Sequence, residues 1–341
     1  MTQIQYEFKA RPDEGETMAV ADGLLWLRMP LPFALTHINL WLLRDEASWV
    51  IVDTGVDTKT SRRVWEMTFA NTMGGDPASH VIATHLHPDH VGCAGWLVHR
   101  FDVDLWMTRD EYMLCRILAA DTGRPAPEEG IGFYTSAGFS AEDLSAYKDS
   151  FGMFGRFVHP LPEAYKRMSD GDVLTFADAH WEVIVGTGHS PEHACLYDAE
   201  RNILIAGDQV LPTISPNVSV WPTEPLANPL MDWYASLEKL KERLPEDVLV
   251  LPAHGKPFRG AHQRLEKLAQ DHDQRLDKLI EICAEPKRVV DTFASLYMVP
   301  ITDRNRIMAT GEAITHLNYL CDRGDLVVET DADYVNWYRR A

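Results

Sequence analysis

Six consecutive residues, His85-Leu86-His87-Pro88-Asp89-His90, carry four side chains able to offer a lone pair to a metal ion. Imidazole nitrogen and carboxylate oxygen suit zinc and similar divalent cations. His85 and His87 alternate, so an extended backbone aims both to one side. A turn at Pro88 then lets Asp89 and His90 fold back beside them. One His-x-His pair alone is a weak signal, but four donors this dense are hard to explain by core packing. Three further donors follow apolar runs: His189 after Val183-Ile184-Val185, Asp208 after Ile203-Leu204-Ile205, and His254 after Val248-Leu249-Val250-Leu251. Neighbouring glycines (Gly188, Gly207, Gly255) free the backbone to aim a polar side chain out of a sheet.

Donors far apart in the chain need rigid elements to bring them together. The first stretch reads as β: Met18 to Met29, Ile38 to Leu43 and Ser48 to Val52 are apolar runs rich in strand formers, the last ending in Asp53-Thr54-Gly55. Ser61 to Met73 has helical spacing, and Val81 to Thr84 reads as a buried strand leading into His85. Strands are expected again at Val103 to Met107, Asp172 to Phe176, Trp181 to Val185, Ala194 to Tyr197, Ile203 to Ile205 and Val248 to Leu251. Leu230 to Arg243 reads as an amphipathic helix. Residues from about 110 to 168 differ, with two helix-like pieces and many aromatics (Tyr112, Phe133, Tyr134, Phe139, Tyr147, Phe151, Phe154, Phe157, Tyr165). From His262 onward the pattern predicts three helices (His262 to Cys283, Lys287 to Met298, Arg304 to Cys321) and a hairpin over Gly324 to Tyr338.

The order H-x-H-x-D-H, then His, Asp and His, preceded by Asp53-Thr54-Gly55, resembles the metallo-β-lactamase superfamily over about residues 17 to 260. The resemblance implies an α/β fold, a four-layer αββα sandwich with metals at one edge. It implies that His85, His87 and His189 hold one metal, that Asp89, His90 and His254 hold the other, and that Asp208 bridges them. Asp53 is expected to support the ligands rather than bind metal. Two divalent ions about 3.5–4 Å apart can share one water and lower its pKa towards neutrality. The expected chemistry is hydrolysis by that metal-bridging hydroxide, with a protonated Asp89 available to help the leaving group depart. Zinc is the first choice of metal, with iron or manganese as alternatives.

Asp208 narrows the branch. Penicillin-destroying members of the family usually carry Cys or Ser there, so antibiotic hydrolysis is not the expected role. The C-terminal segment and Pro32-Phe33-Ala34-Leu35-Thr36-His37-Ile38-Asn39 resemble the glyoxalase-II-like branch, which also includes an endoribonuclease. The expected organisation is a catalytic domain over residues 1–261, with its insert, and a small winged-helix-like domain over 262–341. The expected substrate is a small molecule with an ester-like bond, first a thioester of glutathione or coenzyme A type. A lactone and single-stranded RNA are the alternatives. The aromatic insert reads equally as a lid over the site, a small core of its own, or a dimer interface.

Composition sets further limits. The net charge of −19 repels phosphate backbones and argues against nucleic acid. Between Pro300 and Ala341 seven acidic residues face five basic ones, unlike a DNA-reading wing. Five cysteines without a C-x-x-C pair argue for a reducing cytoplasm, and no apolar run suits a signal peptide or a bilayer span. A homodimer is compatible with the family. Among other polar residues, His37, His193 and Lys256 are substrate candidates, with structural or solvated roles as the plainer alternatives. His272, between Asp271 and Asp273, reads as a solvated helix face. Tyr6, Trp26 and Trp41 read as core, and the cysteines as small buried hydrophobes.

Overall fold

The computed structural model describes residues 4–341. Its centre is a pair of seven-stranded sheets. The first runs, in spatial order, Thr17–Ala21, Leu24–Pro30, His37–Asp45, Ser48–Val52, Ala78–Ile82, Leu105–Met107 and Lys166–Arg167. The second runs Gln5–Tyr6, Phe258–Arg259, Leu249–Pro252, Ile203–Gly207, His193–Asp198, Ala179–Gly186 and Val173–Phe176. The expected strand over Met18 to Met29 is two strands, because Asp22-Gly23 turns the chain and pairs Met18 with Trp26.

The sheets face each other across a core that includes Trp26, Trp41, Val50, Val52, Ile82, Trp181, Val183, Leu196, Ile205 and Leu251. Trp26 and Trp41 are register partners, both essentially buried, with ring centroids 6.1 Å apart. Burying a side chain of this size contributes about 1.5–3 kcal/mol. The helices Lys59–Asn71, Ala94–Phe101 and Arg109–Ala120 cover the outer face of the first sheet. Pro229–Arg243 and Ala261–Ile282 cover that of the second. The result is the four-layer αββα arrangement.

Strand direction explains where the donors end up. Ser48–Val52 and Ala78–Ile82 run parallel with Val52 opposite Ile82, so Asp53 and the segment 83–90 leave the sheet at one edge. Ile203–Gly207 and Leu249–Pro252 are parallel too, with Gly207 opposite Pro252, which brings Asp208 and His254 out together. Parallel strands are buried on both faces, which is why Trp49 to Val52, Ile203 to Ala206 and Leu249 to Leu251 read as continuous apolar runs; Ala78–Ile82 does so only at its end, Val81-Ile82.

The C-terminal segment consists of the helix Ala261–Ile282, two short turns at Val289–Thr292 and Phe293–Leu296, the helix Arg306–Arg323, and the hairpin Leu326–Thr330 with Asn336–Arg340. The middle helix is much shorter than the expected Lys287 to Met298. The insert holds three helices rather than two: Arg109–Ala120, Glu128–Ser136 and Ala141–Ser150. Its aromatics Phe133, Tyr134, Phe139 and Tyr147 are buried in one cluster with Val289, Phe293 and Leu296. The backbone N–H of Val290 donates to the Ala137 carbonyl, and Arg306 pairs with Asp143 at 3.1 Å. These aromatics therefore join the insert to the C-terminal segment. All five cysteines are free thiols, and four are buried. No helix among the described residues is long and apolar enough to cross a membrane.

Candidate metal centre

The seven donors converge at the strand ends. His85, His87, His189 and Asp208 form one group and Asp89, His90 and His254 a second; within each, ligand atoms lie within 4.8 Å of one another. Asp208 stands between the groups. Its Oδ2 is 3.5 Å from Nε2 of His189 and 3.6 Å from Nε2 of His90, while Oδ1 is 3.5 Å from Nε2 of His254. Oδ2 of Asp89 lies 3.3 Å from Nε2 of His254.

The outer nitrogens of three histidines are fixed by hydrogen bonds. Nδ1–H of His90 donates to Oδ2 of Asp53 at 2.7 Å. Nδ1–H of His189 donates to the Asn217 carbonyl at 2.7 Å, and that of His254 to the His37 carbonyl at 3.0 Å. Such bonds set tautomer and ring direction, leaving the Nε2 lone pair free. Nε2 of His90, His189 and His254, together with Oδ1 of Asp208, are buried without a hydrogen-bond partner among the described residues. Orphaned buried polar atoms are costly. Four of them converging on one spot fit divalent cations, which would take up those lone pairs. His85 and His87 add two more nitrogens that face each other at 2.9 Å.

Electrostatics divide the donor set. Burial lowers His90 and His254, but Asp53, Asp208 and Asp89 outweigh it at His90, and Asp208 and Asp89 at His254, so both sit above the usual imidazole range and carry protons that divalent ions would displace. Burial, reinforced by the neighbouring histidines, pushes His85 well below the usual imidazole range, and pushes His87 down to about 3. Neutral imidazole is the ligating form. Burial pushes the Asp89 carboxyl up, but His90 and His254 outweigh it and hold it below the usual range. An ionised Asp89 accepts a proton first and can donate one only after that.

Asp53 shows how the edge is locked. It adopts a left-handed backbone, φ 61°, rare for a residue with a Cβ. Its Oδ1 accepts from the Thr84 backbone N–H at 2.8 Å, and Oδ2 holds His90. His193 is fully buried; its Nε2 accepts the Asp208 backbone N–H at 3.0 Å, and its ring stacks on His85 with centroids 4.6 Å apart. A Cβ at Gly207 would lie 2.5 Å from that Nε2, so only glycine permits the contact. His193 thus steadies the Asp208 backbone from behind.

His37 meets the site through its carbonyl, while its ring lies 3.3 Å from the Arg28 guanidinium. Burial, then Arg28, lowers its pKa to about 4. Lys256 turns elsewhere, with Nζ 5.0 Å over the Tyr6 ring and 3.4 Å from the Lys9 carbonyl. Tyr6 is 43% exposed rather than core. His272 is fully buried rather than solvated, with Nδ1 3.0 Å from Nε2 of His316.

Two residues touching this network stand outside any motif. Asn217 lies in the loop after Asp208 and supplies the carbonyl for His189. Glu111, fully buried at the start of the insert, accepts three hydrogen bonds from the segments that carry His85, His87 and His189. A glutamate near a helix start is an ordinary sequence feature, so nothing in spacing singles Glu111 out.

Fold and donor set match a known group of proteins. The profile described as "Metallo-beta-lactamase superfamily" covers residues 34–254. That described as "Metallo-beta-lactamase-like, C-terminal domain" covers residues 276–341. The chain belongs to the metallo-β-lactamase superfamily of metallo-hydrolases. A β-lactamase domain protein of known crystal structure from Burkholderia ambifaria is 40% identical, with a TM-score of 0.91 over 99% of this chain and 98% of that one. The probable metallo-hydrolase YqjP of Bacillus subtilis is 23% identical over 310 residues, covering 88% of this chain and 92% of that protein. The acyl-coenzyme A thioesterase MBLAC2 of Bos taurus is 25% identical over 265 residues, covering 74% of this chain and 85% of that protein.

Proposed function

We propose that this protein is a dinuclear metal hydrolase that cleaves acyl thioesters of the coenzyme A or glutathione type. The convergence of the orphaned Nε2 atoms of His90, His189 and His254 on the Asp208 carboxylate carries the reading. One divalent ion, zinc as first choice, is assigned to His85, His87 and His189, and the second to Asp89, His90 and His254, with Asp208 shared. Divalent ions held there lower the pKa of a water and polarise the scissile carbonyl.

The chain's own groups supply the rest. Asp53, Asn217 and His37 keep the ligand imidazoles in the tautomer whose Nε2 lone pair faces inward. His193 holds the Asp208 backbone. Asp89, ionised at rest, can accept a proton from the attacking water and return it to the leaving group. A thiol leaves readily as thiolate, because its pKa is about 8.5, so a strong acid is not required.

The substrate class rests on the loops that anchor the ligands and on a relative. Phe33 and Leu35, just before His37, are 42% and 43% exposed. Ile214 and Trp221, either side of Asn217, are 39% and 40% exposed. Large apolar side chains left in water on the segments whose carbonyls hold His254 and His189 suit an apolar acyl group. The bovine relative's description as an acyl-coenzyme A thioesterase supports the same choice, and the net charge of −19 disfavours RNA.

The test is a panel of acyl-coenzyme A and acyl-glutathione thioesters of increasing chain length, assayed with zinc, manganese and iron. Metal-dependent release of thiol, faster with apolar acyl groups, is expected. Absence of thioester cleavage with every metal, alongside turnover of acyl-lactones or RNA, would overturn the assignment.

A further inference from the structure

Glu111 is a buried carboxylate that joins the segment carrying His85 and His87 to the segment carrying His189. Oε2 accepts the backbone N–H of Leu86, the residue between His85 and His87, at 2.9 Å. Oε1 accepts the hydroxyl of Ser190, next to His189, at 2.5 Å, and the backbone N–H of Glu192 at 2.8 Å. The clasp is reciprocal. Oε2 of Glu192 accepts the backbone N–H of Asp110 at 2.9 Å, and the Thr108 hydroxyl donates to the Glu192 carbonyl at 2.7 Å. Glutamates are almost never fully buried unless their oxygens are satisfied. Here Oε2 ends on the His85/His87 segment, which leaves the first sheet, and Oε1 on the His189 segment, which leaves the second.

The second group is anchored otherwise. Asp53 holds His90, and the His37 carbonyl holds His254. Nδ2 of Asn39 donates to the carbonyls of Pro252 and Gly255, both at 2.8 Å, on either side of His254. Among the described residues Glu111 forms no hydrogen bond with any of these.

We infer that Glu111 is a positioning residue for one of the two metal positions: it sets the distance from the His85/His87 turn to His189, while the other position keeps its own anchors, Asp53 and the His37 carbonyl. This rests on the two-metal reading above. Glutamine is the informative replacement. It keeps size and polarity, but its amide has a single oxygen. Its NH2 must then face either the Leu86 N–H or the Glu192 N–H, donor against donor, so one side of the clasp opens.

The experiment loads wild type and Glu111→Gln with cobalt(II) and follows release to excess chelator. His189→Ala and His254→Ala identify which phase belongs to which position. Wild type should show two ions. In Glu111→Gln the phase assigned to the His189 position should be on the order of 10–100-fold faster, the usual range for a lost outer partner, with the other phase unchanged. Two unchanged phases, or two phases accelerated equally, would overturn the inference. If Glu111→Gln does not fold, Ser190→Ala, which removes one of the three donors, should show the same selectivity with a smaller factor. Wild type holding fewer than two ions would refute the two-metal reading instead. The clasp is then judged by amide exchange of the metal-free protein. Glu111→Gln should speed exchange at Leu86 and Glu192 but not at Asp53, and no change at Leu86 and Glu192 would sink it.

Discussion

Nδ1 of His90 lies 2.7 Å from Oδ2 of Asp53, and the structure leaves almost no surface of either residue exposed to solvent. The bond dictates which nitrogen of His90 keeps its lone pair. Asp53→Ala should therefore weaken metal binding by about 10–100-fold. Asp53→Asn should be at least as damaging. Its amide can satisfy the Thr84 N–H with oxygen, which turns its NH2 towards His90 and forces the imidazole proton onto Nε2, the atom needed inside. Competition against a chromophoric chelator measures both. An Asn variant with wild-type affinity would show that the tautomer argument is wrong.

Asp208 is the only carboxylate within reach of His90, His189 and His254 among the described residues. Asp208→Ala should lose metal occupancy and activity together, because both positions share that side chain. Metal content by elemental analysis, set beside the rate of thiol release, tests this. Full activity with two ions retained would contradict the shared assignment.

Gly311 tests how the C-terminal helix supports His189. A Cβ there would lie 2.8 Å from Cβ and Oγ of Ser219 and from the Val220 carbonyl, which accept no such approach without moving. Gly to Ala inside a helix normally stabilises by about 1 kcal/mol. Overpacking a tight contact costs about 1–3 kcal/mol, so the clash should win and Gly311→Ala should destabilise. The same shift displaces the loop that presents the Asn217 carbonyl, and metal affinity should fall with it. Denaturant unfolding and chelator competition give the two readouts; a stabilised variant would mean that the loop does not rest on this helix.

Acid stability should reflect the buried pair His272 and His316. Nδ1–H of His316 donates to the Glu312 carbonyl at 2.7 Å, so its Nε2 accepts from Nδ1–H of His272, and both rings are neutral. Burial lowers His316 to about 4 and, with His316 beside it, His272 to about 2. The unfolded chain takes up protons as pH falls through about 6.5, while the folded protein does not. Each histidine therefore removes up to about 1.4 kcal/mol of stability per pH unit between pH 6 and 4. Glu312, raised by burial, takes up its proton earlier when folded and offsets part of the slope. His272→Gln, which keeps a donor for His316, should flatten the curve by about one proton. An unchanged slope would mean that His272 is not held neutral.

The seven donors were legible because ligation demands particular residue types, and because buried strands announce themselves as apolar runs that end at the donors. His272 shows what a residue-by-residue reading misses. Its neighbours Asp271 and Asp273 suggest solvent, yet Leu265, Leu268, His272, Leu276 and Leu279 follow one helical stripe, and all are buried. Helical periodicity outranks the adjacent residues, and the stripe was there to be counted. Glu111 and Asn217 are different. One works through tertiary hydrogen bonds and the other through its backbone carbonyl, which any residue could supply, so neither leaves a trace in spacing. Lys256 follows His254 closely in sequence, but Gly255 takes a left-handed turn, and the Lys256 side chain lies over the Tyr6 ring instead. The insert's aromatics divide between two cores: Phe133, Tyr134, Phe139 and Tyr147 are completed by the C-terminal segment, while Tyr112, Phe154, Phe157 and Tyr165 pack with the outer face of the first sheet.

Anomalous scattering from crystals grown with a single divalent metal, collected on both sides of its absorption edge, locates and counts the bound ions. Two peaks are predicted, one among His85, His87 and His189 and one among Asp89, His90 and His254, with Asp208 in reach of both. A single peak, or peaks away from these side chains, would contradict the two-metal assignment.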